Sequence, residues 1–144
     1  MKTKMEKKLK HLEILQAVIS RMAKNSFLLK GWNVVLVSAI FALASTECKS
    51  ALVFLAYLPA AMFWLLDAYF LRQERLFRKL YDNVRATSEN DIDFSMDAAP
   101  FKTEVASWLR VAFSRTLLLF HGAILLTITA VWLVTFVLRC IGKA

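Results

Sequence analysis

The chain predicts an all-α, polytopic membrane protein with three transmembrane helices and a small cytosolic helical collar. Apolar stretches cover 31–46, 50–66 and 116–138, and the last contains no Asp, Glu, Lys or Arg, which is longer than the roughly 20 residues a helix needs to cross hydrocarbon. Hydrophobic residues make up 58% of the chain and charged ones 21%. The charges are crowded into two blocks and not dispersed as on a water-soluble surface. The implied boundaries are a cytosolic amphipathic helix at 1–30, a transmembrane hairpin at 31–71, a cytosolic helix–loop–helix at 72–114 and a third transmembrane helix at 115–141.

In the first segment Met5, Leu9, Leu12, Leu15, Ile19 and Met22 recur at steps of three and four, the spacing of an amphipathic helix. No Pro or Gly interrupts residues 1–30, so the helix is expected to continue into the first span as one rod. A lysine-rich amphipathic helix is ordinarily a lipid-surface element; subunit packing is the sharper use. Adding Phe27–Leu29 to the first apolar stretch and Ala68–Leu71 to the second brings each near spanning length, with Lys30 and Asp67 at headgroup level. Only Glu47, Cys48 and Lys49 separate the two, which implies an antiparallel hairpin. Lys30 opens one span and Asp67 closes the other, so the two reach the same interface and are expected to pair. Ala42-Leu43-Ala44 mimics a signal-peptide cleavage site, but the charged, helically patterned segment of 30 residues before the apolar run argues against that reading.

Beyond the second span Leu71, Leu76, Phe77, Leu80, Tyr81 and Val84 keep an apolar seam, projecting the helix into the cytosol until about Thr87-Ser88. Residues 88–97 alternate acids without a helical stripe. Asp91, Asp93 and Asp97 lack the glycine and terminal glutamate of a calcium loop, so a solvated loop is expected, with Asp97 capping the next helix. Pro100 suits a first helical turn. Phe101, Val105, Trp108 and Ala112 then predict a helix over 98–114 that feeds the third span, with Trp108 and Phe113 as interfacial anchors.

Orientation follows from basic residues. Residues 1–30 and 72–115 each carry eight Lys or Arg, and the hairpin turn one. The positive-inside rule places both blocks, and the N-terminus, in the cytosol. The C-terminus then lies outside, against which Arg139 and Lys143 weigh. Cys48 and Cys140 would both be external, either disulfide-bonded or, more commonly, apolar fillers at helix ends.

Catalysis finds little support. Neither His11 nor His121 has a Cys, Ser or carboxylate at a useful spacing, three glycines exclude the usual phosphate-cradling loops, and no Cys/His metal pattern exists. No cofactor or metal is implied. Gly31, Ser38, Ala42 and Ser45 share the spacing of Thr116, Ala123, Thr127 and Ala130, each set on one helical face, and Ala56, Ala60 and Asp67 form a comparable stripe. Such stripes serve helix packing first and a pore lining second. Asn33, Asp67, His121 and Thr127 are the candidate pore or gate residues, because intramembrane polar groups face a bundle interior, a partner or water. Three spans are too few to enclose a pathway, so a channel requires a homo-oligomer.

The net charge is +8. Basic residues at a cytosolic membrane face attract anionic lipid first. A polyanionic ligand is the alternative, with Arg21, Lys24, Arg72, Arg75, Arg78, Lys79 and Arg85 as candidate binding residues and Phe77 and Tyr81 as stacking surfaces.

The run Arg21-Met22-Ala23-Lys24-Asn25-Ser26-Phe27-Leu28-Leu29-Lys30-Gly31-Trp32, leading directly into an apolar span, resembles small bacterial membrane proteins encoded with nucleotide-signalling defence genes. Within that group the chain looks most like the HalA-type channels of Hailong anti-phage systems, over roughly residues 9–80. The resemblance implies an oligomeric channel of the bacterial inner membrane. Single-stranded DNA oligomers made by a partner nucleotidyltransferase would hold it shut, and their destruction by phage nucleases would open it and depolarise the cell. A pore opened by a cyclic nucleotide is the neighbouring alternative, and a non-conducting accessory subunit that anchors a partner protein is the alternative of a different class.

Overall fold

A computed structural model of the chain describes residues 2–47 and 50–141, and among them every regular element is helical. Helix α1, Lys2–Glu47, runs for 46 residues without a break. At 1.5 Å per residue it is about 70 Å long, more than twice the hydrocarbon thickness of a bilayer. It joins the amphipathic segment and the first apolar stretch into one rod, as the lack of Pro predicts.

The second apolar stretch is interrupted. Helix α2, Ser50–Leu55, is separated from α3, Tyr57–Ala86, by Ala56. Pro59 explains the break, because it has no N–H to donate to the Leu55 carbonyl one turn back. The chain tightens there, with the Ala56 amide bonding to the Val53 carbonyl at 3.1 Å. α3 ends at Ala86, close to the expected Thr87, which adopts extended backbone. Lys8 reaches across from α1 to this end, its Nζ donating to the carbonyls of Arg85 at 3.2 Å and Thr87 at 2.7 Å. Both the unsatisfied carbonyls and the negative end of the helix dipole favour that ammonium.

The segment after α3 is held by side chains that cap their own backbone. The amide of Ser95 donates to Asp93, that of Asp97 to Ser95, and that of Ala99 to Asp97 Oδ1 at 2.8 Å, a succession of local turns. Asp97 thus acts as a cap, as expected, but the segment it caps is not one helix over 98–114. A 3₁₀ turn, Ala99–Thr103, is separated from α4, Trp108–Ala112, by residues 104–107. Ser107 is extended and its Oγ accepts from the Arg110 amide, which begins a new helix. The break divides the apolar stripe between two cores. Phe101 and Val105 pack with Leu15, Leu76, Leu80, Val84 and Ala98, whereas Trp108 and Ala112 pack with Ala68, Val111 and Leu117. A straight helix would have laid all four on one surface.

Helix α5, Arg115–Ile141, comes after a turn at Phe113–Ser114. It closes a three-helix arrangement with α1 and the α2–α3 pair around Val37, Ala44, Val53, Ala56, Ala60 and Ile128. α1 and α3 are antiparallel, with Lys4 beside Asn90, Lys8 beside Arg85 and Ser26 beside Asp67. Three helices, within Lys4–Ser45, Leu52–Ala86 and Arg115–Leu138, are long and apolar enough to cross a membrane. Their outer faces carry exposed apolar groups such as Phe27, Leu119 and Leu126. Cys140 is a free, exposed thiol; Cys48 lies outside the described residues.

Leu15 is fully buried at the centre of the collar core, and Leu9, earlier on the same helix, is half exposed. Leu15→Ala is expected to destabilise the protein by about 2–5 kcal/mol and Leu9→Ala by less than about 0.5 kcal/mol. Thermal unfolding of the detergent-solubilised protein measures both.

Candidate functional site

Two sites emerge. The first lies between the three apolar helices. Ser26, Lys30 and Asn33 stand on one face of α1 at steps of four and three, which brings them into line along the rod. Opposite, α3 supplies Trp64 and Asp67, and α5 supplies His121. Asp67 has no solvent exposure and His121 only 1%. The Asp67 carboxylate receives three donors: Lys30 Nζ on Oδ2 at 2.6 Å, His121 Nε2 on Oδ2 at 2.9 Å, and the Ser26 hydroxyl on Oδ1. Lys30 also donates to Ser26 Oγ at 2.9 Å. The pairing of Lys30 with Asp67 expected from their positions is therefore present.

The carboxylate also fixes the proton on the imidazole. An unprotonated Nε2 would set its lone pair against Asp67, so Nε2 carries the hydrogen. Nδ1 then accepts from the Asn33 amide, 3.4 Å away. One positive and one negative charge remain, and the cluster is neutral. The ring is held in place by an indole and a phenyl. Trp64 lies parallel to it with centroids 5.8 Å apart and donates its own Nε1–H to the Ala112 carbonyl at 2.9 Å. Phe120 meets it edge-on at 5.1 Å, with the Lys30 ammonium 5.9 Å above the Phe120 ring. A second polar link, Tyr57 to Thr129 at 2.6 Å, joins α3 and α5.

Ser26, Asp67 and His121 have the composition of a hydrolytic triad but not its connectivity. In a triad the imidazole lies between the hydroxyl and the carboxylate and takes the hydroxyl proton. Here the carboxylate is central, and the imidazole turns its other nitrogen to Asn33. The arrangement neutralises a buried charge and ties three helices together; it does not activate a nucleophile. Of the four candidate pore or gate residues, Asn33, Asp67 and His121 are thus gathered inside the protomer. Thr127 is apart from them, exposed on α5, its hydroxyl donating to the Ala123 carbonyl of its own helix.

The second site is the collar. A groove of about 330 Å³ between α3 and the 104–106 segment is lined by Arg75, Arg78, Lys79, Asp82, Glu104, Val105 and Ala106. Three of the seven candidate ligand-binding residues meet there. Acids temper them: Arg78 Nη2 lies 2.7 Å from Glu74 Oε1, and Lys79 lies 3.3 Å from Glu104. Arg72 borders the groove by donating to the Ala106 carbonyl. Arg85 sits at the far end of α3, 4.0 Å from Asp82, and Arg21 and Lys24 are exposed on α1. Ser26, Trp64, Tyr57 and Glu74 were not singled out by the sequence. The spacing of Ser26, Lys30 and Asn33 was the available signal for the first.

Removing one partner of a buried ion pair costs about 3–5 kcal/mol, because the other charge is left uncompensated. Lys30→Met is expected to lose that amount, and Lys30→Met with Asp67→Asn to recover most of it. Thermal unfolding of the single and double variants, compared as a cycle, measures the recovery. No protein-family model matches the chain, and neither does any curated protein or solved structure.

Proposed function

We propose that this chain is the subunit of a homo-oligomeric channel or pore effector of the bacterial inner membrane, acting in anti-phage defence. Its N-terminus and collar face the cytosol, and its basic collar takes an anionic nucleic-acid signal, a single-stranded DNA oligomer made by a nucleotidyltransferase encoded nearby. The defence setting and the DNA signal rest on the resemblance of the 21–32 junction; the rest is argued from charge, length and packing.

One observation carries the assembly. The polar groups of the three apolar helices are consumed within the protomer, whereas both predicted stripes of small and hydroxyl-bearing residues on α1 and α5 point outward. Gly31, Ser38 and Ala42 are exposed on α1, and Thr116, Ala123, Thr127 and Ala130 on α5. A path through one protomer would have to breach its sealed cluster. A path between protomers needs only that these stripes meet, and close approach of backbones in lipid is what small residues permit. A Cβ at Gly31 would meet nothing within 4 Å in the protomer, so the glycine serves no contact there. The collar supports the ligand half: exposed basic residues at one end of the molecule multiply around an axis when subunits gather.

A second reading is a non-conducting accessory subunit. The ion pairs that engage Arg78, Lys79 and Arg85 reduce the charge available to a ligand, and Met5, Leu9 and Ile14 leave exposed apolar surface on α1 for a partner protein.

Short single-stranded DNA oligomers are expected to bind the purified protein with an affinity that falls steeply with salt, by roughly tenfold or more between 50 and 200 mM. Salt-insensitive or absent binding removes the ligand. Planar-bilayer recording separates the readings, since only the channel conducts. Gly31→Leu and Ala123→Leu are expected to leave the protomer folded and to lower the oligomer mass measured in detergent; an unchanged mass places the subunit interface elsewhere. A reporter fused after Ala144 that is active only in the cytosol contradicts the three-span topology.

A further inference from the structure

His11 is the buried polar side chain that the fold leaves unexplained. It is 5% exposed, and neither Nδ1 nor Nε2 has a hydrogen-bond partner. An imidazole kept from water without a partner is costly, and such groups in native structures ordinarily have one. His11 lines a groove of about 360 Å³ together with Lys7, Lys10, Ile14, Phe94 and Met96. Lys7, Lys10 and His11 stand at steps of three and one on α1, so two ammonium groups flank the ring on its own helix. Lys7 makes no ion pair among the described residues, and Lys10 is held by Glu13 at 3.0 Å in a pair exposed on both sides. Such a pair contributes little, and a phosphate displaces the carboxylate readily. The acid nearest on the facing loop, Asp93, spends Oδ1 on the Ser95 amide.

The opposite wall is aromatic. The Phe94 ring lies 5.7 Å from His11, tilted by 57°. Phe94 is also the one described non-glycine residue with a positive φ, at 56°. A bulky residue in the left-handed region costs about 1–3 kcal/mol, and this strain presents an exposed ring to the groove. Phosphate-binding cations, an imidazole with free donor and acceptor capacity, and a flat apolar wall together match a ligand with an anionic group and a planar ring.

We infer that the groove between α1 and the 92–96 loop binds a nucleoside monophosphate unit, free or as one residue of a strand, with phosphate on Lys7 and Lys10, the base against Phe94, and His11 hydrogen-bonded to the ligand. This rests on the anionic-ligand half of the proposed function and places the ligand at residues that charge counting along α3 overlooked. Lipid headgroups are a poor source. His11 precedes Lys30 by 19 residues of the same helix, about 28 Å along the rod from the level at which the apolar span begins. A groove of this volume takes one small ligand, not a folded partner.

The chain has two histidines, His11 and His121, so nitrogen-15 NMR of histidine-labelled, full-length protein in detergent reads both rings. Thymidine 5′-monophosphate is expected to shift the His11 resonances saturably and to leave those of sealed His121 in place. Unphosphorylated thymidine and inorganic phosphate are expected to shift neither ring. Lys7→Gln, at an exposed position, is expected to weaken the mononucleotide about tenfold, and Phe94→Ala to weaken it by a similar factor through lost stacking. No shift with the mononucleotide, or an equal shift with phosphate alone or thymidine alone, overturns the inference. A DNA oligomer that binds wild type and is indifferent to Lys7→Gln and His11→Phe overturns the groove but leaves the proposed function standing. A mononucleotide that shifts His11 in a protein that binds no oligomer supports the groove and removes the oligomer as the signal.

Discussion

A carboxylate without access to water, set among apolar helices, is the constraint that organises this protein. Asp67 is tolerable only because each neighbouring helix brings it a donor: Ser26 and Lys30 from α1, His121 from α5. Sliding α1 by a turn against α3 would strand Lys30 and leave Asp67 charged and alone. Rotating α5 would withdraw His121. Burying an ion pair is not a source of net stability, since the desolvation of both charges offsets their attraction. It penalises wrong registers heavily. Helices in lipid have little hydrophobic incentive to choose one partner face over another, so such a penalty is well placed here.

Around that point the molecule has two characters. Toward one end, apolar side chains cover both the interior and the exterior of three helices. Toward the other, Leu15, Leu76, Leu80, Val84, Ala98 and Val105 form a core like that of a small soluble domain, with lysines, arginines and acids outside it. The 3₁₀ turn and α4 belong to the junction, where Trp64 and Trp108 each give an indole N–H to a backbone carbonyl, of Ala112 and Leu65 respectively. Those bonds satisfy carbonyls at the place where the chain changes direction.

Much of this architecture was legible in the residues themselves. Helix positions came from apolar periodicity, and the Lys30–Asp67 contact from the fact that the two residues bracket an antiparallel hairpin. His121 as a link between helices came from the cost of placing an imidazole in a span. The features that were not legible depend on the third dimension. Pro59 is a strong local signal, yet the long apolar run around it masked the break before Tyr57. The stripe of Phe101, Val105, Trp108 and Ala112 fits a continuous helix well; only the separation of two cores shows why the chain bends at Ser107. Ser26 is an ordinary residue in sequence, and its role emerges only when Asp67 arrives from another helix. The groove at His11 escaped for a related reason: its aromatic wall comes from a loop more than 80 positions away, where periodicity says nothing.

The unbroken length of α1 has a mechanical consequence. Clamped to Asp67 through Lys30, the rod has a fulcrum part of the way along, with arms of about 42 Å toward Lys2 and about 26 Å toward Glu47. A stiff lever pivoting there sends its two tips in opposite directions, the outer tip travelling some six-tenths as far as the inner one. Leverage of this kind links whatever tugs on the lysine-rich end to the opposite leaflet without any rearrangement of side chains in between.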